Sequence, residues 1–418
     1  MAKIVIKNVG PIKSVNFQLN KINVLMGPQS SGKSTIAKII SYCQWAEKRF
    51  ILDGSYEHDV AEQLLEFHRL SENYFSSKSF FSYESDFVKI TYEGENLEQS
   101  VIKKDTAKEY KNTKNIYIPS ERNFVSVIPN LSKYKETNDN IMSFVYDWYS
   151  AKRTYKNNNS LPVLGLGIDY YNSTDNEKDM LRLANGKEIL LREGSSGLQS
   201  LIPLIALIEY LTEYIYNNDI SNSVDEKDSI QRFLIENFKS LIERSGTKAR
   251  IGLNNVSEYL EKARFSENDI KKVLELYLRS RHLSKYNSTK FIIEEPEQNL
   301  FPSTQRDLIN YLLGKMLSGR EHSLILTTHS PYILYAINNC LMGYNVREEI
   351  PESELQDFKS VGAWTNPKDV SIWQVKNGEL LTVKDERTNT VTKHYFNEIT
   401  KEIMDEYYSM LNYFEYEK

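Results

Sequence analysis

Cysteine is almost missing from this chain: Cys43 and Cys340 are the only two in 418 residues, which excludes a disulfide-built scaffold. No charged-apolar-small leader opens the sequence, and no apolar run approaches the ~20 residues that cross a bilayer. The chain is therefore expected to be soluble and cytoplasmic, with no membrane partner. Basic charge is not in surplus either. The 52 Lys and Arg stand against 57 Asp and Glu, a formal net charge of −5, which excludes a surface basic throughout and confines any nucleic-acid contact to local patches. Internal repeats and sustained heptads are also missing, so neither a solenoid nor long coiled-coil arms are expected. What is present, 40% hydrophobic and 12% aromatic residues, suffices to bury a sizeable core in two or three compact units.

The first 26 residues alternate as strands do, through "KIVIKNV", "VNFQL" and "KINVLM", and feed a glycine-bearing loop. After the loop, apolar residues recur at helical spacing until Asp53-Gly54, a helix stop. A lysine-rich segment holding Lys103, Lys104, Lys108, Lys111 and Lys114 precedes the short strand "NIYIP", and "SAKRTYKNNNS" at 150–160 reads as a surface loop. "SSGLQSLIPLIALIEYL" is a strongly apolar helix opened by a Ser-Ser-Gly turn, with Pro203 inside it. Residues 217–285 alternate polar linkers and helical patterns, a helical insertion. "KFIIEE", "TQRDLINYLLGKML" and "HSLILTTHS" then form a strand, helix, strand unit. The tail holds a hairpin, "WQVKNGELLTV", and a final acidic helix. The division expected is 1–216 and 286–345 as the two parts of one α/β head, 217–285 as the insertion, and 346–418 as hairpin and helix.

Gly27, Pro28, Gln29, Ser30, Ser31, Gly32, Lys33, Ser34 and Thr35 fit the phosphate-loop pattern at every fixed position, between a strand and a helix. The loop N–H groups would cradle ATP phosphates, Lys33 would reach the β and γ oxygens, Ser34 would offer a hydroxyl to Mg²⁺, and Thr35 would add a phosphate contact. The strand "FIIEEP" ends in Glu294 and Glu295. Glu294 is the candidate for the metal side and Glu295 the candidate to activate water. His329, just past the next strand, is a candidate γ-phosphate sensor acting as a neutral imidazole donor. In the Ser-Ser-Gly turn, Ser195 or Ser196 caps the helix, and the positive helix end with its free N–H groups also suits a phosphate.

"GPQSSGKST", "SSGLQS", "IIEEPEQNLFP" and "TTHSPYIL", in this order, resemble the ATP-binding cassette ATPases of the RecF, Rad50 and overcoming-lysogenization-defect group. More narrowly they resemble the small bacterial AAA15/AAA21 ATPases of antiphage systems such as Septu and PARIS. The resemblance implies a P-loop NTPase head with a mixed β-sheet core, an antiparallel β-layer at its N-terminus and a helical insertion. It also implies that Ser196, Gly197 and Gln199 form a signature turn contacting the ATP of an opposite subunit, so that two heads close as a two-fold dimer or assemble further. Leu198 departs from the commoner second glycine, Glu294 stands where many cassettes have Asp, and Ser120 stands where a loop glutamine is usual.

On this resemblance the chain is an ATP hydrolase that senses an invader or a DNA state and regulates a separately encoded nuclease or toxin. A DNA-repair ATPase of RecF or Rad50 type is the alternative. A transporter ATPase is disfavoured because Gln199 and Glu294 stand 95 positions apart. A nuclease domain within the chain is not expected: 89 residues follow His329, and no Asp-x-Asp pair occurs among them. DNA stays open as a partner. The lysines at 103–114 and "KRTYK" at 152–156 read either as phosphate contacts or as solvated faces. The final helix places Ile399, Ile403, Tyr407, Leu411 and Phe414 on one face, an apolar stripe that reads first as packing on the chain's own head.

Overall fold

The strands that read as continuous apolar runs lie at the centre of a sheet covered on both faces, as such runs require. In the computed structural model, residues 2–53, 59–128, 139–217, 271–272, 274–276, 283–392 and 394–414 are described. The expected helical insertion at 217–285 falls almost wholly outside them. In chain order the strands are β1 (Lys3–Val9), β2 (Ile12–Gln18), β3 (Ile22–Met26), β4 (Phe80–Glu84), β5 (Val88–Glu93), β6 (Glu98–Lys103) and β7 (Thr113–Ile118). Four short strands follow, β8 (Leu161–Pro162), β9 (Asp169–Asn172), β10 (Asp179–Arg182) and β11 (Glu188–Leu190), and then β12 (Ser288–Glu294), β13 (Ser323–Thr328), β14 (Val370–Lys376) and β15 (Glu379–Thr382). The helices used below are α1 (Lys33–Asp53), α2 (Val60–Phe67), α3 (Asn140–Lys152), α4 (Ser196–Glu209), α5 (Pro302–Met316), α6 (Pro331–Val346) and α7 (Tyr395–Leu411).

Among the described residues eleven strands form one mixed sheet in the order β6-β5-β4-β1-β2-β15-β14-β3-β13-β12-β7. The β6 to β2 side is antiparallel, whereas β14, β3, β13, β12 and β7 run parallel. This is the α/β fold with an antiparallel N-terminal layer that the sequence implied. Period-two alternation sends Val24, Phe291, Ile293, Leu324 and Leu326 into one core with α3 to α6. Leu25, Ile292 and Ile325 go into the other core, with α1 and α2. A second sheet, β11-β10-β9-β8, adds Leu161, Tyr170 and Leu181 to the first core.

The expected tail hairpin forms, with Asn377 and Gly378 at φ 54° and 79° as its two-residue turn demands. It is not an appendage. β14 pairs with β3 and β15 touches β2, so the tail completes the central sheet. Among the described residues Ser196–Asn217 is the one helix long and apolar enough to cross a membrane, contrary to the expectation that none would be. With 72% of its window buried, it is a core helix. Pro203 sits inside it without ending it. The carbonyl it cannot bond, Gln199 O, takes the Ser126 hydroxyl at 2.9 Å instead.

The final helix departs from the reading that it packs on its own head. Tyr395 and Phe396 rest on the core, but every described residue from Thr400 onward is exposed, Ile403 at 61% and Phe414 at 63%.

Candidate active site

Four of the five parallel strands, β3, β13, β12 and β7, deliver a loop to the same sheet end, the carboxyl ends at which α/β sheets bind ligands. After β3 comes the phosphate loop. Ser30, Gly27 and Gly32 hold positive φ of 57°, 146° and 106°. A methyl on Gly27 would strike the Val375 carbonyl oxygen, and one on Gly32 the Ile12 side chain, so the loop is pinned by β14 below it and the β1–β2 turn beside it. Pro28 and Ser31 are partly buried, Gln29 and Ser30 exposed, Ser34 half-buried and Thr35 buried.

Lys33 opens α1 at 4% exposure, and its ammonium turns back over the loop. It donates to Gly27 O at 2.9 Å and Pro28 O at 2.7 Å, and lies 3.4 Å from His329 Nδ1. Ser31 Oγ lies at 3.5 Å, so four acceptors surround the three donors of the ammonium. Burial pulls its pKa from 10.5 down to about 8, against the upward pull of Glu295, Glu297 and Glu294.

The other ring nitrogen, His329 Nε2, lies 2.9 Å from Glu295 Oε1. With Nδ1 facing an ammonium and Nε2 facing a carboxylate, the tautomer that satisfies both is Nε2–H, assigned from these partners. This hydrogen bond is the first cause that lowers the Glu295 pKa, opposed by burial. Both side chains keep access to solvent, 27% for His329 and 34% for Glu295. Glu295 sits at φ 43°, an uncommon left-handed position for a glutamate. Its N–H is held by Thr327 O at 3.0 Å.

Glu294, 6% exposed, ends β12 with Oε1 buried and without a hydrogen-bond partner. The buried Tyr117 hydroxyl lies beside it, its pKa raised by burial and by the Glu294 charge; a buried carboxylate oxygen in such a setting suits a water or a cation, and one carboxylate plus the half-buried Ser34 hydroxyl is the sparse protein set that suits Mg²⁺ carried with phosphates. The residues present therefore fit Mg²⁺. Among the described residues no group of three or more His, Cys, Asp or Glu could hold a metal by itself.

The signature turn divides its duties. Ser195 caps α4, its hydroxyl accepting Leu198 N–H at 3.3 Å. The amide of Gln199 is spent within the turn, donating to Arg192 O and Gly194 O at 3.0 and 2.9 Å. Ser196 is exposed, and no described hydrogen bond uses its hydroxyl or joins this turn to residues 27–35. Gly197 abuts the loop after β12: a methyl there would lie 2.7 Å from Asn299 O.

Two functional side chains escaped the sequence reading. Glu297 Oε1 accepts from Thr328 Oγ1 at 2.8 Å and from His329 N at 2.6 Å, so it holds the histidine's main chain. Burial raises its pKa. Arg122, fully buried, stands two residues beyond Ser120, whose hydroxyl only meets Glu121 Oε2 at 3.0 Å. The signal available was an arginine just past a strand end in "IPSERN". The basic patches are largely engaged. Lys104 pairs with Glu84, Lys114 with Asp147 and Lys152 with Asp179. Tyr155 is 2% exposed and bonds Ala206 O, so it cannot stack on a base.

No protein-family model matches the chain, and no curated protein matches it. Among solved structures it is similar to an SMC head domain from Thermotoga maritima, at 11% identity over 92% of this chain and 98% of that one, with a TM-score of 0.40. It is similar to the recombination mediator protein RecF at 13% identity, 91% and 97% coverage and a TM-score of 0.30. An ATP-binding cassette of an ABC transporter matches at 10% identity, 93% and 93% coverage and a TM-score of 0.31. These likenesses are too distant to carry an argument, and the site is read from its own residues.

Proposed function

We propose that the chain is a Mg²⁺-dependent ATPase of the cassette class that closes as a two-fold dimer on ATP and regulates a separately encoded nuclease or toxin in antiphage defence. The observation that carries the ATPase reading is the continuous chain Lys33–His329–Glu295 beside the buried Glu294 oxygen. These are the phosphate, water and metal functions of phosphoryl transfer at one sheet end. The regulatory role rests on the motif resemblance. The exposed α7 is the element this reading assigns to docking the effector.

In this reading Lys33 and the loop N–H groups bind the β and γ phosphates of ATP. Glu294 and Ser34 would hold Mg²⁺, which neutralises charge on the phosphate oxygens when bound. Glu295, kept ionised by the His329 hydrogen bond, takes one proton from water. The water oxygen forms the new bond to γ phosphorus, and the bridging oxygen leaves with its electron pair on ADP. His329, fixed through its main chain by Glu297, keeps Glu295 oriented and faces the phosphate with its ring. Ser196 and Gly197 contact the nucleotide of the opposite subunit, and Gln199 braces their turn.

The test is Glu295→Gln. ATP affinity should stay within about twofold while turnover falls by about 10²-fold or more, the range that loss of a general base commands. Turnover at the wild-type rate would remove Glu295 from the role of base.

A further inference from the structure

Arg122 lies in the turn after β7 with none of its surface exposed. An arginine has five N–H donors, and here all five meet main-chain carbonyls. Nε donates to Ser200 O at 3.1 Å. Nη1 donates to Pro119 O at 3.2 Å and Glu294 O at 2.8 Å, and Nη2 to Glu295 O at 2.8 Å and Pro296 O at 3.2 Å. No carboxylate stands within ion-pair distance among the described salt bridges, and burial pulls its pKa down to about 10. A charge buried this way is unfavourable unless its donors are fully met. Here they are met by three segments, the end of β12, the start of α4 and the turn after β7, that converge on this one side chain.

Those segments are the parts of the site. Glu294, Glu295 and Pro296 carry the acid pair, and their consecutive carbonyls are held on either side of the left-handed Glu295. Ser200 O belongs to the first turns of α4, where Pro203 has already removed one main-chain donor, and Ser126 of the same post-β7 segment takes the neighbouring Gln199 O. Pro119 ends β7. One rigid planar group therefore registers the signature helix, the acidic strand end and the β7 loop against one another. A lysine, a point charge with three donors, cannot reproduce the fork.

We propose that Arg122 is a positioning residue: it holds the Glu295 main chain in its left-handed conformation and fixes the start of α4 against it, so that the signature turn and the water-activating carboxylate of one chain move as a unit. This rests on the reading of Glu295 as the base.

The experiment compares wild type with Arg122→Lys and Arg122→Gln by melting temperature, ATP dissociation constant, kcat and KM, and adds guanidinium to Arg122→Ala. A misplacement on the order of 1 Å costs about 10²-fold in rate. The expected result is a kcat loss of about that size in the Lys variant, with ATP affinity and KM within about threefold, and partial recovery of kcat in Arg122→Ala by millimolar guanidinium. Wild-type kcat in the Lys variant overturns the proposal. So does a fall of affinity, kcat and melting temperature together without guanidinium rescue, which would make Arg122 a support of the fold alone. Glu295→Gln is assayed alongside. If it turns over normally, the base reading fails; if it stalls and Arg122→Lys does not, only the present proposal fails.

Discussion

Gly197→Ala tests the contact between the signature turn and the catalytic loop. The added methyl would point at the chain's own Asn299 carbonyl oxygen at 2.7 Å, where ordinary contact begins at 3.4 Å, so something must move by about 0.7 Å. Neither side yields easily. The obstacle is main chain, Asn299 sits at φ 61°, and its side chain bonds Ser200 Oγ at 3.2 Å. Overpacking of this kind costs about 1–3 kcal/mol, offset by up to ~1 kcal/mol because alanine favours the helix over glycine. The net is a loss of about 0–3 kcal/mol, a few degrees of melting temperature at most. ATP affinity of the monomeric chain should hold within about twofold, because no described bond links this turn to its own phosphate loop. Turnover should fall about tenfold to 10²-fold as the loop carrying Glu295 shifts. Gly362→Ala, where a methyl would meet open space, is the control and should leave all three readings unchanged. Full turnover in Gly197→Ala, with the melting temperature raised, would refute the reasoning.

Two further outcomes follow from the same geometry. Lys33→Ala and Ser196→Arg chains, each inactive alone, should recover one working site per heterodimer when mixed under proven subunit exchange; no recovery would count against a nucleotide shared between subunits. Removing residues 400–418 should leave turnover and melting temperature unchanged, since none of the described part is buried, while abolishing co-purification with a co-expressed effector encoded beside this chain. Undiminished co-purification would take α7 out of partner docking.

What the sequence made legible was local. The phosphate loop needs nine consecutive residues, the acid pair ends an unbroken apolar strand, and the tail hairpin announces itself through Asn377-Gly378. Each is specified within a dozen positions. The parts missed are those that depend on distant main chain. Arg122 finds four of its five carbonyls 78 to 174 positions away, and a carbonyl leaves no mark in the residue type that bears it. Glu297 looked like one more acid in "EEPEQ" because its partner is a backbone N–H 32 positions on. The stripe on α7 was visible, but periodicity states only that a face is apolar, and here Ile403, Tyr407 and Leu411 on that face are exposed.

The position of β3 bears on how the molecule is made. The strand that feeds the phosphate loop pairs on one side with residues 324–328 and on the other with residues 370–374. Contacts of such separation are slow to close. At about 5–20 residues per second, roughly 17–70 s pass between synthesis of β3 and of the strand that flanks it. Until residues 324–328 are made both edges of "INVLM" await partners, and one edge stays open until residues 370–374 follow, a template for wrong pairing. The loop above it also lacks the Val375 carbonyl that limits Gly27. A chain stopped before residue 370 would carry the phosphate-loop residues without the strand that lies against Gly27.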